Sequence, residues 1–215
     1  MSIYVISGHY GSGKTNIAVN LAYKLLEKGS VAVFDLDVVN PYFRTADFTE
    51  KMRSDGITVV APIFANTNLD TPALTGEFAN IYSGVYDNVI VDVGGDDSGA
   101  FALGQYAAGI AGTGDWQHWY IVNFMRTLTL TTSENIELMR DIENAGKLPF
   151  TGIINNTNLG VETTPETVQK SLAKAKSLSE ASNLPLLFTS VADGVEVIAT
   201  DTPLMRISIM TKHYW

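Results

Sequence analysis

Residues 8–15 read GHYGSGKT and match the pattern G-x-x-x-x-G-K-[ST] in full. In such a loop, glycines let the backbone curl so that N–H groups point at phosphate oxygens, and the following helix adds its positive end. Lys14 would place a charge near the β- and γ-phosphates, and the Thr15 hydroxyl suits Mg²⁺. The pattern predicts a phosphate-binding loop with nucleotide contacts from Gly8, Gly11, Ser12, Gly13, Lys14, Thr15 and Asn16.

Two apolar runs further along the chain end in acids that could complete a magnesium site. One leads to Asp35 and Asp37, whose i, i+2 spacing points both side chains the same way from a strand. The other ends in Asp92 and continues as D-x-x-G. Because ligands of open α/β sheets lie beyond the carboxyl ends of the strands, we expect these acids to converge on the phosphate loop. The alternative is a solvated strand end or a helix cap, which is the favoured interpretation for Asp96 and Asp97.

These motifs need strands that end at one edge of a sheet and helices that follow them. Six apolar runs are typical of strands buried on both faces, at 3–7, 31–34, 89–93, 119–124, 152–154 and 186–190. Between them, apolar residues recur at helical spacing, as in Ile17, Leu21 and Leu25. Thr164 before Pro165 predicts a further helix start. The alternation predicts one α/β domain over 1–215, with a mainly parallel sheet and helices on both faces.

The composition narrows the classes of partner and site. The 215 residues include 14 Lys and Arg against 23 Asp and Glu, and the net charge of −9 argues against nucleic acid or an anionic membrane as partner. The chain has no cysteine, which excludes disulfides, thiolate metal sites and a cysteine nucleophile. It shows neither a signal-peptide pattern nor a long apolar stretch, so we expect a soluble cytoplasmic protein.

The phosphate loop, the acid pair at 35 and 37 and the D-x-x-G motif at 92–95 together resemble P-loop ATPases of the MinD/ParA/CobQ/CobB type, within the SIMIBI group. The resemblance extends over most of the chain, to an asparagine-bearing strand end at 155 and the run at 186–190. It implies a three-layer P-loop NTPase fold with ATP and Mg²⁺ as ligands.

The same resemblance implies a role for each matching residue. Lys14 of the Walker A loop would hold phosphate and act in catalysis, and Asp37 would orient the attacking water. Gly95 would donate its amide to the γ-phosphate, and Asn155 would contact the base. The Mg²⁺ ion and its water shell would be held by Thr15, Asp35 and Asp92.

Two features of the chain depart from that group. Its members usually carry a signature lysine directly after the first glycine of the loop, where this chain has His9. The histidine either replaces part of the function that this lysine has across a dimer or packs locally, so a homodimer is left open. The absence of cysteine excludes the metal-bridged branch of the group.

The loop that would meet the base favours adenine. Guanine-specific P-loop proteins use N-K-x-D, whose aspartate pairs with guanine, whereas residues 155–158 read NNTN. The charge-assisted contact that selects guanine is therefore absent. A polar turn without a base contact is the alternative.

The leading hypothesis is a Mg²⁺-dependent protein that hydrolyses ATP as a molecular switch acting on a protein partner. The segment at 38–45, VVNPYFRT, would be the switch loop that changes partner contacts. An ATP-dependent ligase or small-molecule kinase, similar to dethiobiotin synthetase or CobB, is an alternative because those enzymes also lack the signature lysine. A nucleotide-gated binding module with negligible turnover is the third possibility.

Overall fold

The computed structural model describes residues 1–37, 49–62, 76–95, 97–197 and 200–210. Within them, the strands are β1 (Ser2–Ser7), β2 (Val31–Asp35), β3 (Thr58–Val60), β4 (Asn88–Asp92), β5 (Trp116–Val122), β6 (Gly152–Asn155), β7 (Leu186–Ala192) and β8 (Leu204–Ile207). The α-helices are α1 (Lys14–Leu26), α2 (Thr49–Ser54), α3 (Asp97–Gly104), α4 (Ala107–Gly112), α5 (Thr132–Gly146) and α6 (Pro165–Ser182). Two short 3₁₀ helices cover Gly76–Tyr82 and Gly160–Glu162.

The described strands form one sheet in the order β3-β2-β4-β1-β5-β6-β7-β8, and each pairing is parallel. β1 lies in the middle, between β4 and β5, so the loop that leaves β1 emerges at the centre of the carboxyl edge. On the neighbouring strands β2 and β4, Asp35 stands in register with Asp92. The predicted parallel sheet is confirmed, and it brings the acidic strand ends beside the phosphate loop.

Alternate residues along the strands pack against helices on opposite faces of the sheet. Ile6 and Val33 belong to the same buried cluster as the apolar residues of α1. Val5 and Phe34 point the other way and pack with residues of α3 and α4. A third cluster joins β5 and β6 to α5 and α6. The three-layer arrangement predicted from the sequence is therefore confirmed.

Two helices on one face begin at capping residues. The Thr164 side chain accepts a hydrogen bond from the Thr167 N–H, and Pro165 is the first residue of α6, as predicted. Thr131 and Glu134 form a reciprocal capping box at the start of α5. These caps fix where the chain turns from the carboxyl edge of the sheet into each helix.

The short strands β3 and β8 were not among the predicted runs. β3 has three residues and occupies one edge of the described sheet, and β8 has four and occupies the other. In β8 the buried positions are Met205 and Ile207, while Leu204 and Arg206 are exposed. This alternation differs from the continuous apolar runs of the central strands, because an edge strand is covered less completely.

The predicted switch loop at 38–45 and Asp96 lie outside the described residues. α3 begins at Asp97, two positions after the last glycine of the D-x-x-G turn. In the part of the chain that the structure describes, no helix has the length and apolar character needed to cross a membrane.

Candidate functional site

The loop at 8–13 curls because three of its glycines adopt positive φ angles. These angles are 152° at Gly8, 73° at Gly11 and 87° at Gly13. A Cβ on Gly8 would overlap the carbonyl oxygen of Ile121, so no other residue fits there without moving β5. Gly13 caps α1 in the left-handed conformation and its carbonyl accepts the first helical hydrogen bond from Ile17, at 3.1 Å. The loop therefore delivers Lys14 at the first position of α1.

Lys14 and Gly95 meet at the mouth of this loop, and Asp37 lies beside Gly94. The Lys14 ammonium donates to the His9 carbonyl oxygen at 3.1 Å. A Cβ built on Gly95 would lie 2.8 Å from Lys14 Nζ and 2.7 Å from the backbone nitrogen of Tyr10. Asp37 Oδ1 lies 3.3 Å from a Cβ built on the preceding Gly94. The D-x-x-G turn thus packs directly on the phosphate loop, with the aspartate of the D-x-D pair at its side.

Thr15, Asp92 and Asp35 form a second, more buried group. The Thr15 hydroxyl donates to Asp92 Oδ2 at 2.7 Å, and the Asp37 N–H donates to Asp35 Oδ1 at 2.9 Å. Both Asp35 and Asp92 are buried. Burial raises the pKa of Asp92 to about 7, while the charge of Lys14 and the hydrogen bond from Thr15 lower it and Asp37 raises it further. Among the described residues, Asp92 Oδ1 has no hydrogen-bond partner.

These residues fit a magnesium ion that arrives with a nucleotide. Mg²⁺ prefers oxygen ligands and usually keeps several waters, with only one or two protein ligands beside the phosphates. The Thr15 hydroxyl and the orphaned Asp92 Oδ1 offer that small set at one place. Across the described ranges, no group of three or more His, Asp or Glu side chains is arranged to hold a metal by itself. Two oxygen ligands of this kind fit an ion that phosphate oxygens also bind.

Asn155 is buried and its amide is occupied by neighbours inside the fold. Its Nδ2 donates to Ser171 Oγ at 2.7 Å and to Thr189 Oγ1 at 3.3 Å. Its Oδ1 accepts from both the backbone N–H and the hydroxyl of Thr157. These bonds hold the end of β6 to α6 and β7, away from the cavity described below.

Asn156, which sequence reasoning passed over, makes the contact to the phosphate loop. Its Nδ2 donates to the Ser12 carbonyl oxygen at 2.6 Å, and its Oδ1 accepts a hydrogen bond from the Ser190 hydroxyl. Because side chains alternate along an extended chain, a shift of one residue exchanges the two faces. The asparagine that borders the phosphate loop is Asn156, and the base contact expected of Asn155 stays a prediction.

A small cavity of about 50 Å³ lies beside the phosphate loop. Its walls come from the phosphate loop and the start of α1, from the loop after β6, and from the ends of β7 and β8. Its lining residues include Gly11, Gly13, Asn16, Arg126, Asn158 and Gly160. Asn16 also accepts the Met210 N–H at its Oδ1, so the segment after β8 is fastened to α1 at this wall.

Two histidines take part in local contacts. The Nδ1 of His9 donates to the adjacent Tyr10 carbonyl oxygen at 2.9 Å, which is the local packing that the sequence left open. His118 is buried beneath the loop: its Nδ1 donates to the Leu148 carbonyl at 3.1 Å, and its Nε2 accepts from the Ser7 hydroxyl at 2.8 Å. Burial lowers the pKa of His118 to about 3, so the ring is neutral near pH 7.

A parallel sheet whose central strand runs into a phosphate loop, with acids at the ends of adjacent strands, is the three-layer P-loop NTPase fold. Solved structures share it. The cell division protein FtsY of Thermotoga maritima aligns with a TM-score of 0.55 at 16% identity, over 88% of this chain and 61% of its own. The signal recognition particle 54 kDa protein of Aeropyrum pernix K1, solved in complex with GDP, aligns with a TM-score of 0.57 at 16% identity, over 87% and 41%.

A third structure, the signal recognition particle receptor FtsY of Elizabethkingia anophelis, gives a TM-score of 0.53 at 15% identity, over 92% of this chain and 62% of its own. The chain thus spans about three fifths of the length of these FtsY chains. No family model and no curated protein matches the sequence. At such identities the likeness defines the fold, and the narrower MinD/ParA/CobQ/CobB type stays a prediction.

Proposed function

We propose that the protein binds a nucleoside triphosphate together with Mg²⁺ and hydrolyses it as a molecular switch. The observation that carries this proposal is the contact of Lys14 with the Gly95 turn at the mouth of the loop, with Asp37 beside the preceding Gly94. A cation and a backbone turn at one point suit the terminal phosphates, and a carboxylate beside them suits a water molecule that attacks the γ-phosphate. Thr15, Asp35 and Asp92 would hold the Mg²⁺ and its water shell, and the ion would supply charge neutralisation at the phosphates.

The base that we propose is adenine. The signal recognition particle protein above was solved with GDP, so guanine is the competing base. Guanine recognition in P-loop proteins uses an aspartate three residues after the asparagine of N-K-x-D. With Asn155 as that asparagine, the position is Asn158, and with Asn156 it is Leu159. Neither side chain carries the negative charge with which an aspartate accepts two hydrogen bonds from guanine.

The test of binding is calorimetric titration with Mg-ATP and Mg-GTP. We expect wild-type protein to bind ATP more tightly than GTP, and Lys14→Ala to weaken ATP binding by about 10- to 100-fold, as the loss of a charged hydrogen bond implies. Lys24→Ala is the matched control, since Lys24 is an exposed lysine on the same helix. The proposal fails if wild-type protein binds neither nucleotide, or if the two variants bind alike.

The test of hydrolysis is single-turnover release of phosphate from ATP. Asp37→Asn should slow it by about 100-fold or more, as expected for loss of a group that positions the attacking water. Asp141→Asn on the exposed side of α5 is the control and should leave the rate unchanged. Equal, near-zero rates in wild type and Asp37→Asn would instead support a binding module without meaningful turnover.

A second candidate function is that of an ATP-dependent kinase or ligase with a small-molecule substrate. The local contact between His9 and the Tyr10 carbonyl favours it, because a ring that bonds within its own loop does not act across a dimer as the signature lysine does. Kinases and ligases of this type also lack that lysine. This candidate predicts ADP release only when an organic acid substrate is supplied. A protein partner that accelerates hydrolysis, with no small molecule present, would decide for the switch.

A further inference from the structure

The cavity beside the phosphate loop is lined by a positively charged side chain that does not belong to that loop. Of the described residues that line this cavity, Arg126 alone is positively charged. It comes from the loop after β5 and is half-buried. Its Nε donates to the Gly11 carbonyl oxygen at 3.1 Å, which ties the guanidinium to the rim of the phosphate loop. The side chain therefore lies at the border between the phosphate loop and the cavity.

The turn that carries Arg126 is held by its own hydrogen bonds. The Arg126 N–H donates to the Asn123 carbonyl at 3.1 Å, and the Thr129 N–H donates to the Arg126 carbonyl at 3.2 Å. The Thr129 hydroxyl closes the turn with a 2.7 Å bond to the Asn123 carbonyl. Leu128 within it has a φ of 68°, a left-handed conformation that a leucine adopts only when its surroundings impose it. The guanidinium is thus presented by a preorganised turn.

The position of Arg126 along the bound nucleotide follows from its neighbours. Lys14 Nζ marks the end of the phosphate chain, because it lies on the side of Gly95. Arg126 lies at Gly11 and shares the cavity with Asn158 and Gly160 of the loop after β6. A nucleotide with its terminal phosphates at Lys14 and its base towards that loop brings its α-phosphate between them.

We propose that Arg126 binds the α-phosphate of the nucleotide. This inference rests on the nucleotide site proposed above. An arginine suits the role because its planar fork can direct two N–H groups at phosphate oxygens, whereas lysine acts as a point charge. The bond to the Gly11 carbonyl sets the plane of that fork. Arg126 lies outside the phosphate-loop motif, more than a hundred positions further along the chain.

The experiment measures dissociation constants for ADP and ATP with wild type, Arg126→Lys, Arg126→Gln and Arg140→Gln. Arg140 is an exposed arginine of α5, so its variant makes the same change of charge away from the cavity. We expect Arg126→Gln to weaken ADP and ATP equally, by about 10- to 100-fold, and Arg126→Lys to lose less. Arg140→Gln should match wild type.

A second measurement separates phosphate binding from support of Gly11. The two diastereomers of ADPαS replace one or the other α-phosphate oxygen by sulfur, a weaker acceptor. Wild type should bind one diastereomer several-fold more weakly than the other, and Arg126→Gln should lose that discrimination, as a double-mutant cycle between ligand and residue requires. Thermal unfolding of each variant reports whether it is folded.

Each outcome decides the inference. Equal losses for ADP and ATP, with loss of the diastereomer preference, support it. Weakening of ATP alone, or a preference that survives in Arg126→Gln, or no preference in wild type, overturns it while the proposed function stands. Wild-type protein that binds no nucleotide overturns both.

Discussion

Replacing His118 by glutamine should remove one contribution to stability that weakens as the pH falls. The neutral ring of His118 donates to Leu148 through Nδ1 and accepts from Ser7 through Nε2, and it stacks on Phe150 at 4.1 Å between ring centroids. Burial holds its pKa at about 3, against 6.5 for an ordinary histidine. Between those values the unfolded chain binds a proton that the folded chain rejects, so the free energy of unfolding falls as the pH falls.

The expected size follows from that difference in pKa. Each pH unit below the pKa of the unfolded histidine costs about 1.4 kcal/mol, which amounts to about 2 kcal/mol between pH 8 and pH 5. Asp92 acts in the opposite sense, because its raised pKa lets the folded state hold a proton more tightly than the unfolded state does. The wild-type curve alone therefore mixes both effects, and only the difference between wild type and His118→Gln isolates the histidine.

The assay is urea unfolding, followed by tryptophan fluorescence at half-unit steps from pH 5 to pH 8. The stability advantage of wild type over the variant should shrink by about 2 kcal/mol as the pH falls across this range. A difference that stays constant within about 0.5 kcal/mol would refute the reasoning. If the variant does not fold, the NMR titration of wild type decides: a His118 ring that protonates above pH 5 contradicts the prediction.

Two further substitutions test the site and one helix start. Gly95→Ala should abolish nucleotide binding in calorimetry because its methyl group would lie 2.7 Å from the backbone nitrogen and Cα of Tyr10, whereas Gly112→Ala, which meets no atom within 4 Å, should bind normally. Thr131→Ala should lower the free energy of unfolding by about 1 kcal/mol in urea titrations because the α5 capping box with Glu134 is lost, and an unchanged midpoint would contradict this.

The phosphate loop and the acidic strand ends were predictable because their signals are local. A glycine pattern followed by Lys14 and Thr15 needs only a strand before it and a helix after it. Asp35 and Asp92 each end an apolar run, and the parallel order of the sheet then sets them side by side. The sequence signal and the tertiary arrangement agree at these positions. The fold and the convergence of the phosphate loop with the two acidic strand ends therefore follow from the sequence pattern alone.

Arg126 and Asn156 could not be found in this way. Each contacts a residue of the phosphate loop that is more than a hundred positions away in the sequence. Arg126 contacts Gly11, and Asn156 contacts Ser12. The order of β5 and β6 in the sheet, and the point where each strand ends, decide these contacts, and no local pattern encodes that order. In an alternating chain, the choice between Asn155 and Asn156 further depends on a register of one residue.

That register bears directly on the choice of base. If Asn156 is the asparagine beside the phosphate loop, the position that carries the aspartate of N-K-x-D is Leu159, which is exposed and has no polar side-chain atom. With Asn155, the same position would be Asn158, whose Nδ2 donates to the Asn156 carbonyl. In neither case does the position carry a carboxylate that could accept two hydrogen bonds from guanine, so the proposed preference for adenine holds for either asparagine.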